Sequence, residues 1–144
     1  MAIRVYGGAG PYFWVGNGLY PTIGLNLGLE NKTEKTRFNV EGQAQLNTDI
    51  LAWIVGPKVG FGFYTPKEHF IGAYLEGGLV DAIDNTSSYN NTPFWGSGLN
   101  FELGAVTLSL GLRQFFPRGE KTFLNLGGGI GFSYTFPTIE DKVA

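Results

Sequence analysis

From Leu19 to Leu29 every second residue is apolar (Leu19, Pro21, Ile23, Leu25, Leu27, Leu29), while Tyr20, Thr22, Gly24, Asn26, Gly28 and Glu30 take the alternate positions. Successive side chains of a strand point to opposite faces, so this run predicts a strand with one apolar face. The same period recurs eight times, each run closed by turn residues, and predicts an antiparallel meander with no helix between its strands.

The first run covers residues 2–15 and closes at Gly16-Asn17-Gly18, a three-residue hairpin loop. The second extends from Leu19 to about Glu30, with a turn over 31–35. The third sets Phe38, Val40, Gly42, Ala44 and Leu46 against Arg37, Asn39, Glu41, Gln43 and Gln45, the cleanest polar face in the chain. The fourth presents Leu51, Trp53, Val55, Pro57, Val59, Phe61 and Phe63 on one side, and Pro57 predicts a bulge there. The fifth shows Ile71, Ala73, Leu75, Gly77 and Leu79, and the longest connection follows at Asp84 to Pro93. Strands six and seven carry Trp95, Leu99, Phe101 and Leu103, then Val106, Leu108, Leu110, Leu112 and Phe116, joined by Gly104-Ala105 in a two-residue type II′ turn. The eighth shows Leu124, Leu126, Ile130, Phe132, Tyr134 and Phe136. Residues 1–136 are thus expected to form one β-barrel domain, and 137–144 a polar tail.

The direction of the apolar face decides the class of barrel. No charged residue falls on it, whereas Arg4, Arg37, Lys58 and Arg113 share the other face with Glu30, Glu41, Glu76 and Glu102. That second face is also rich in glycine, among them Gly24, Gly60, Gly72, Gly111 and Gly129. Water would not call for glycine there, but the narrow inside of a small barrel does, and ions enclosed in it need partners of opposite sign. The charges therefore predict lumen salt bridges, and the apolar face meets lipid. Closure is then obligatory, because an open edge would leave backbone groups unsatisfied in hydrocarbon. Only 15% of the chain is charged, against about 25% in ordinary soluble domains.

Aromatic residues sharpen the picture. With strand one running upward, Phe13, Trp53, Trp95 and Phe116 gather at one rim, and Phe38, Phe61, Phe63, Phe132, Tyr134 and Phe136 toward the other, which predicts two membrane-interface girdles. At this level of pattern the chain resembles the small eight-stranded outer-membrane β-barrels of the OmpA transmembrane domain, OmpX and NspA type. Gly131-Phe132-Ser133-Tyr134-Thr135-Phe136 looks like the terminal signal of that family, in which the aromatic is normally last. The resemblance implies an all-β, eight-stranded, antiparallel, up-and-down transmembrane β-barrel of a Gram-negative outer membrane. It also implies a structural or surface-interaction role rather than catalysis, with the lipid bilayer as partner and the Asp84 to Pro93 loop as the contact for a surface ligand. A monomer is expected.

Other chemistry finds little footing. A net charge of −2 offers no basic footprint for nucleic acid. The absence of cysteine and the single histidine leave nothing on which to build a zinc cluster, and no cofactor or metal is expected. No apolar run is long enough for a membrane helix, and Met1 to Arg4 opens into strand-like sequence rather than a signal peptide, as a mature or recombinant form of an exported protein would. Gly7-Gly8-Ala9-Gly10 and Gly127-Gly128-Gly129 lie within strands and are no phosphate loop. His69, beside Glu68, would be the base of a lipid-modifying enzyme at the barrel rim only if a Ser and an acid converged on it; a solvent-exposed residue is the simpler reading. A soluble, lipocalin-like carrier of hydrophobic ligands is the other alternative. Tyr6, Tyr12, Trp14, Tyr20, Tyr64, Phe70, Tyr74, Phe94, Phe115 and Phe123 face inward and would either line its pocket or, more simply, plug the two mouths.

Overall fold

The computed structural model describes residues 3–16, 19–48, 51–82, 91–117, 119 and 121–136. The eight runs form eight strands: β1 Ile3–Val15, β2 Leu19–Lys32, β3 Thr36–Asn47, β4 Ala52–Tyr64, β5 Phe70–Ala82, β6 Thr92–Leu103, β7 Val106–Phe115 and β8 Phe123–Thr135. Each pairs antiparallel with its neighbour in sequence, and β8 returns to β1, so the sheet closes into an up-and-down barrel.

Alternation decides which way each side chain points. Leu25 is 66% exposed and Leu110 61%, whereas Glu30 is 4% and Arg113 1% exposed. Among the described residues thirty large apolar side chains are exposed, while Asn, Gln, Glu and Arg make much of the interior. A soluble domain distributes polarity the other way. An apolar exterior, a polar interior and a closed ladder together make this a transmembrane β-barrel. The carrier alternative fails, because the apolar set that would have to hold its ligand points outward.

Turn chemistry fixes the register. Gly104 takes φ +66°, the left-handed value that the first position of a type II′ turn requires, and Leu103 pairs with Val106 across it. Asn31 and Lys32, expected in a turn, instead extend β2 by pairing with Phe38 and Arg37. Pro93, expected in the long connection, lies in β6 opposite Leu79; as the second residue of the strand it sits at the end of the ladder, where a missing N–H is most easily tolerated. Of the expected connections, Asn17-Gly18 and residues 84–90 lie outside the described residues, as does the tail 137–144.

The bulge expected at Pro57 is not formed. Val55 pairs with Leu79 and Lys58 with Glu76, so Gly56-Pro57 faces Gly77-Gly78 residue for residue, with no extra residue on either strand. What is lost is pairing: a proline has no N–H to give to the facing carbonyl, and the ladder skips two positions.

Candidate functional site: the ion-paired lumen

The inward positions of all eight strands build the interior in tiers. At the mouth where the 33–35, 65–69 and 104–105 turns lie, β3 carries Arg37, β6 Glu102 and β2 Glu30. Arg37 grips Glu102 through both terminal nitrogens, Nη1 to Oε1 at 3.0 Å and Nη2 to Oε2. Its Nε faces Glu30 Oε2 at 3.7 Å, and Glu30 Oε1 accepts from Thr135 Oγ1 at 3.2 Å. The guanidinium lies 3.9 Å from the centre of the Phe70 ring, and Lys32 Nζ sits 4.5 Å over Tyr64. These groups line a polar vestibule of about 260 Å³.

One tier further in, Lys58 Nζ of β4 approaches Glu41 Oε1 of β3 at 3.7 Å and covers the Tyr74 ring at 4.1 Å. The two residues are register partners, so adjacent strands present them side by side. Asn39 Nδ2 donates to Glu41 Oε2 at 3.4 Å. On the opposite wall the polar side chains are small: Ser109 Oγ donates to Asn100 Oδ1 at 2.9 Å, and Thr107 and Ser133 share a hydrogen bond of 3.3 Å. A cavity of about 50 Å³ lies among these groups, room for a few waters.

The third tier is the driest. Arg113 Nε of β7 donates to Glu76 Oε1 of β5 at 2.6 Å, and Nη1 to Gln45 Oε1 of β3 at 2.8 Å. The guanidinium is stacked 4.2 Å from the Trp14 ring centre and 5.2 Å from that of Phe94. Above it the interior turns apolar. Ala52, Ile54, Val80, Phe94 and Phe115 pack with Phe123, and the rings of Phe115 and Phe123 stack at 5.0 Å. This cap fills the mouth at the ends of β1, β3, β5 and β7 around a cavity of about 40 Å³.

Of the eight charged residues singled out in the sequence, seven have described side chains and all seven lie in these tiers. Arg4 pairs through its backbone with Glu30, and its side chain lies outside the described residues. The ions also bind neutral partners, Gln45, Asn39 and Thr135, which pairing of charge with charge does not find; the alternation of β3, which puts Asn39 and Gln45 on the same face as Arg37, is the sequence signal for two of them. Among the described side chains the inward aromatics close one mouth, not both, and those of Tyr6 and Tyr20 lie outside the described residues. At the other, Phe70 and Tyr64 face Arg37 and Lys32 and leave the vestibule open.

On the outside, Phe13, Trp53, Trp95 and Phe116 are exposed near the capped mouth, and Phe38, Phe61, Phe63, Phe132, Tyr134 and Phe136 near the vestibule. Trp95 Nε1 donates to Gln114 Oε1 at 2.9 Å, and edge-on pairs join Phe61 to Phe63 at 5.4 Å and Tyr134 to Phe136 at 5.1 Å. His69 is exposed, and its described hydrogen bonds run through its backbone, from its N–H to Thr65 Oγ1 and from the Thr65 N–H to its carbonyl. Among the described residues no Ser, Asp or Glu hydrogen-bonds its imidazole, and no group of side chains is arranged to hold a metal.

No protein-family model matches the sequence, and no curated protein matches it either. Solved structures are similar in architecture at low identity. Neisserial surface protein A is 14% identical with a TM-score of 0.47, over 92% of this chain and 97% of that one. A designed transmembrane β-barrel is 12% identical with the same score of 0.47, over 91% of this chain and 95% of the other. The assignment of the fold rests on the strand pairing itself.

Proposed function

We propose that this chain is an integral outer-membrane β-barrel with a structural or surface-interaction role, a closed lumen, and its working contacts on the loops at the capped mouth. One observation carries the reading: beyond an open vestibule of about 260 Å³ at one mouth, ion-paired tiers and an aromatic cap fill the interior around cavities of about 50 and 40 Å³. Eight strands leave room for side chains and not for a wide channel. The exposed aromatics at the two rims act as the interface girdles in this reading, and the seven described ions hold the wall in shape from within. With short turns at one end and the 83–91 and 116–122 connections at the other, the capped mouth is assigned to the cell exterior. The Asp84 to Pro93 segment is then the contact for a surface ligand, as loops on rigid scaffolds commonly are.

Protease treatment of intact Gram-negative cells displaying the protein tests the orientation. Cleavage is expected within residues 84–90 and not at Gly104-Ala105; the reverse pattern would overturn it. Planar-bilayer recordings test the closed lumen, with no sustained conductance expected from single insertions. Steady conductance, or a dispersed monomer obtained without detergent, would count against the proposal.

A further inference from the structure

The ladder is interrupted at two of its eight interfaces, and both interruptions have the same composition. In β4–β5 pairing skips from Val55↔Leu79 to Lys58↔Glu76, leaving Gly56-Pro57 opposite Gly77-Gly78. In β1–β8 it skips from Ala9↔Phe132 to Tyr12↔Gly129, leaving Gly10-Pro11 opposite Ile130-Gly131. The other six interfaces are continuous over their described pairs. Each gap is thus a Gly-Pro step facing a pair that contains glycine, and each proline is exposed on the apolar outside.

The physical cause is the same in both. Without an N–H, Pro11 and Pro57 leave a carbonyl of the neighbouring strand without its rung. Both gaps are tight, since a Cβ built on Gly56 would overlap the Gly77 carbonyl oxygen and one on Gly10 that of Ile130, but paired glycines such as Gly128 and Gly28 are approached as closely, so the missing donor and not the spacing makes the gap. Gly78, at φ +155°, is held in a backbone conformation open to glycine alone.

The two gaps also stand in a definite relation. The interfaces β8–β1 and β4–β5 are four strands apart in either direction around the ring, so they are opposite each other. They divide the barrel into two four-stranded sheets, β1–β4 and β5–β8, each continuous within itself. Both prolines belong to the first sheet, one on each of its outermost strands, the positions at which a free-standing sheet tolerates proline.

We infer that the barrel behaves as two rigid half-sheets joined along two weak seams, and that its wall opens to the bilayer at these seams before any other interface parts. Local opening follows the least-bonded segment, and a seam short of one rung in the middle of a strand is that segment.

Backbone hydrogen exchange on the full chain in lipid nanodiscs tests this. Amides of residues 55–59 and 75–79, and of 8–12 and 129–133, are expected to exchange about tenfold faster than those facing each other across β2–β3 and β6–β7, the effect of one net hydrogen bond on a local opening equilibrium. Pro57→Ala restores the donor; it should slow exchange at β4–β5 by about the same factor and leave β8–β1 unchanged. The chain has no cysteine, so Val55→Cys with Leu79→Cys makes a clean cross-link over the same seam, and oxidation should slow exchange there if Pro57→Ala does not fold. Equal exchange at all eight interfaces, or a β4–β5 seam indifferent to both changes, would overturn the inference.

Discussion

Arg113 and Glu76 form the driest ion pair of the barrel, Nε to Oε1 at 2.6 Å, with side chains 1% and 2% exposed. They come from β5 and β7, which flank β6, and both are register partners of Gly96, so the bond bridges over that glycine and ties three adjacent strands together along the wall. Buried ions of this kind are costly singly and roughly balanced as pairs.

Removing one partner should therefore be worse than removing both. Glu76→Ala leaves the guanidinium with Gln45 and two aromatic faces but no counter-ion, and is expected to cost about 3–5 kcal/mol. The double change Glu76→Leu with Arg113→Met should recover most of that. Urea unfolding in micelles, followed by tryptophan fluorescence, measures both, and equal losses would show that the pair does not act as a unit.

Leu25 and Leu110 stand on the outside of β2 and β7 and are among the most exposed residues of the wall. Either one replaced by Arg should lose about 2–4 kcal/mol if it lies at the bilayer midplane. The loss should appear in lipid vesicles and shrink in short-chain micelles, where the charge reaches water. Unchanged stability in vesicles would contradict the outward assignment.

Glycine is required at some inward positions and idle at an outward one. A Cβ on Gly129 would overlap the carbonyl oxygen of Pro11 and stand 2.6 Å from Tyr12 Cδ1, while one on Gly42 meets nothing within 4 Å. Gly129→Leu should cost about 1–3 kcal/mol or more by overpacking and lower the folded, heat-modifiable band on gels. Gly42→Ala should be neutral or stabilising by about 0.4–1 kcal/mol, through loss of freedom in the unfolded chain.

The two faces of the wall were legible because alternation is local: Leu108, Leu110 and Leu112 declare their side without reference to any other strand. Distance across the lumen is not local. Arg37 meets Glu102 from 65 positions away, and Arg113 meets Gln45 from 68, so these partners depend on register, tilt and closure together. Pro57 shows the same limit at the backbone. Its missing donor could be read from the sequence, but whether the strand gains a residue or loses a rung is decided by the register of the strand that faces it, here Gly77-Gly78 residue for residue.

The aromatic cap and the ionic tiers predict different consequences when each is breached. Phe94 and Phe115 lie 5.5 Å apart in the cap, and both are deeply buried. Phe115→Ala should cost about 3–5 kcal/mol, the usual range for a buried ring. The double change with Phe94→Ala should cost less than twice that, because the rings touch and share one cavity. Permeability should not follow stability, since Arg113 with Glu76 and Gln45 still bars the lumen directly below. Vesicles carrying the double variant are therefore expected to retain trapped glucose as the parent does, while its unfolding midpoint falls. Rapid glucose release from folded protein would mean that the cap, rather than the ionic tiers, is what closes the barrel.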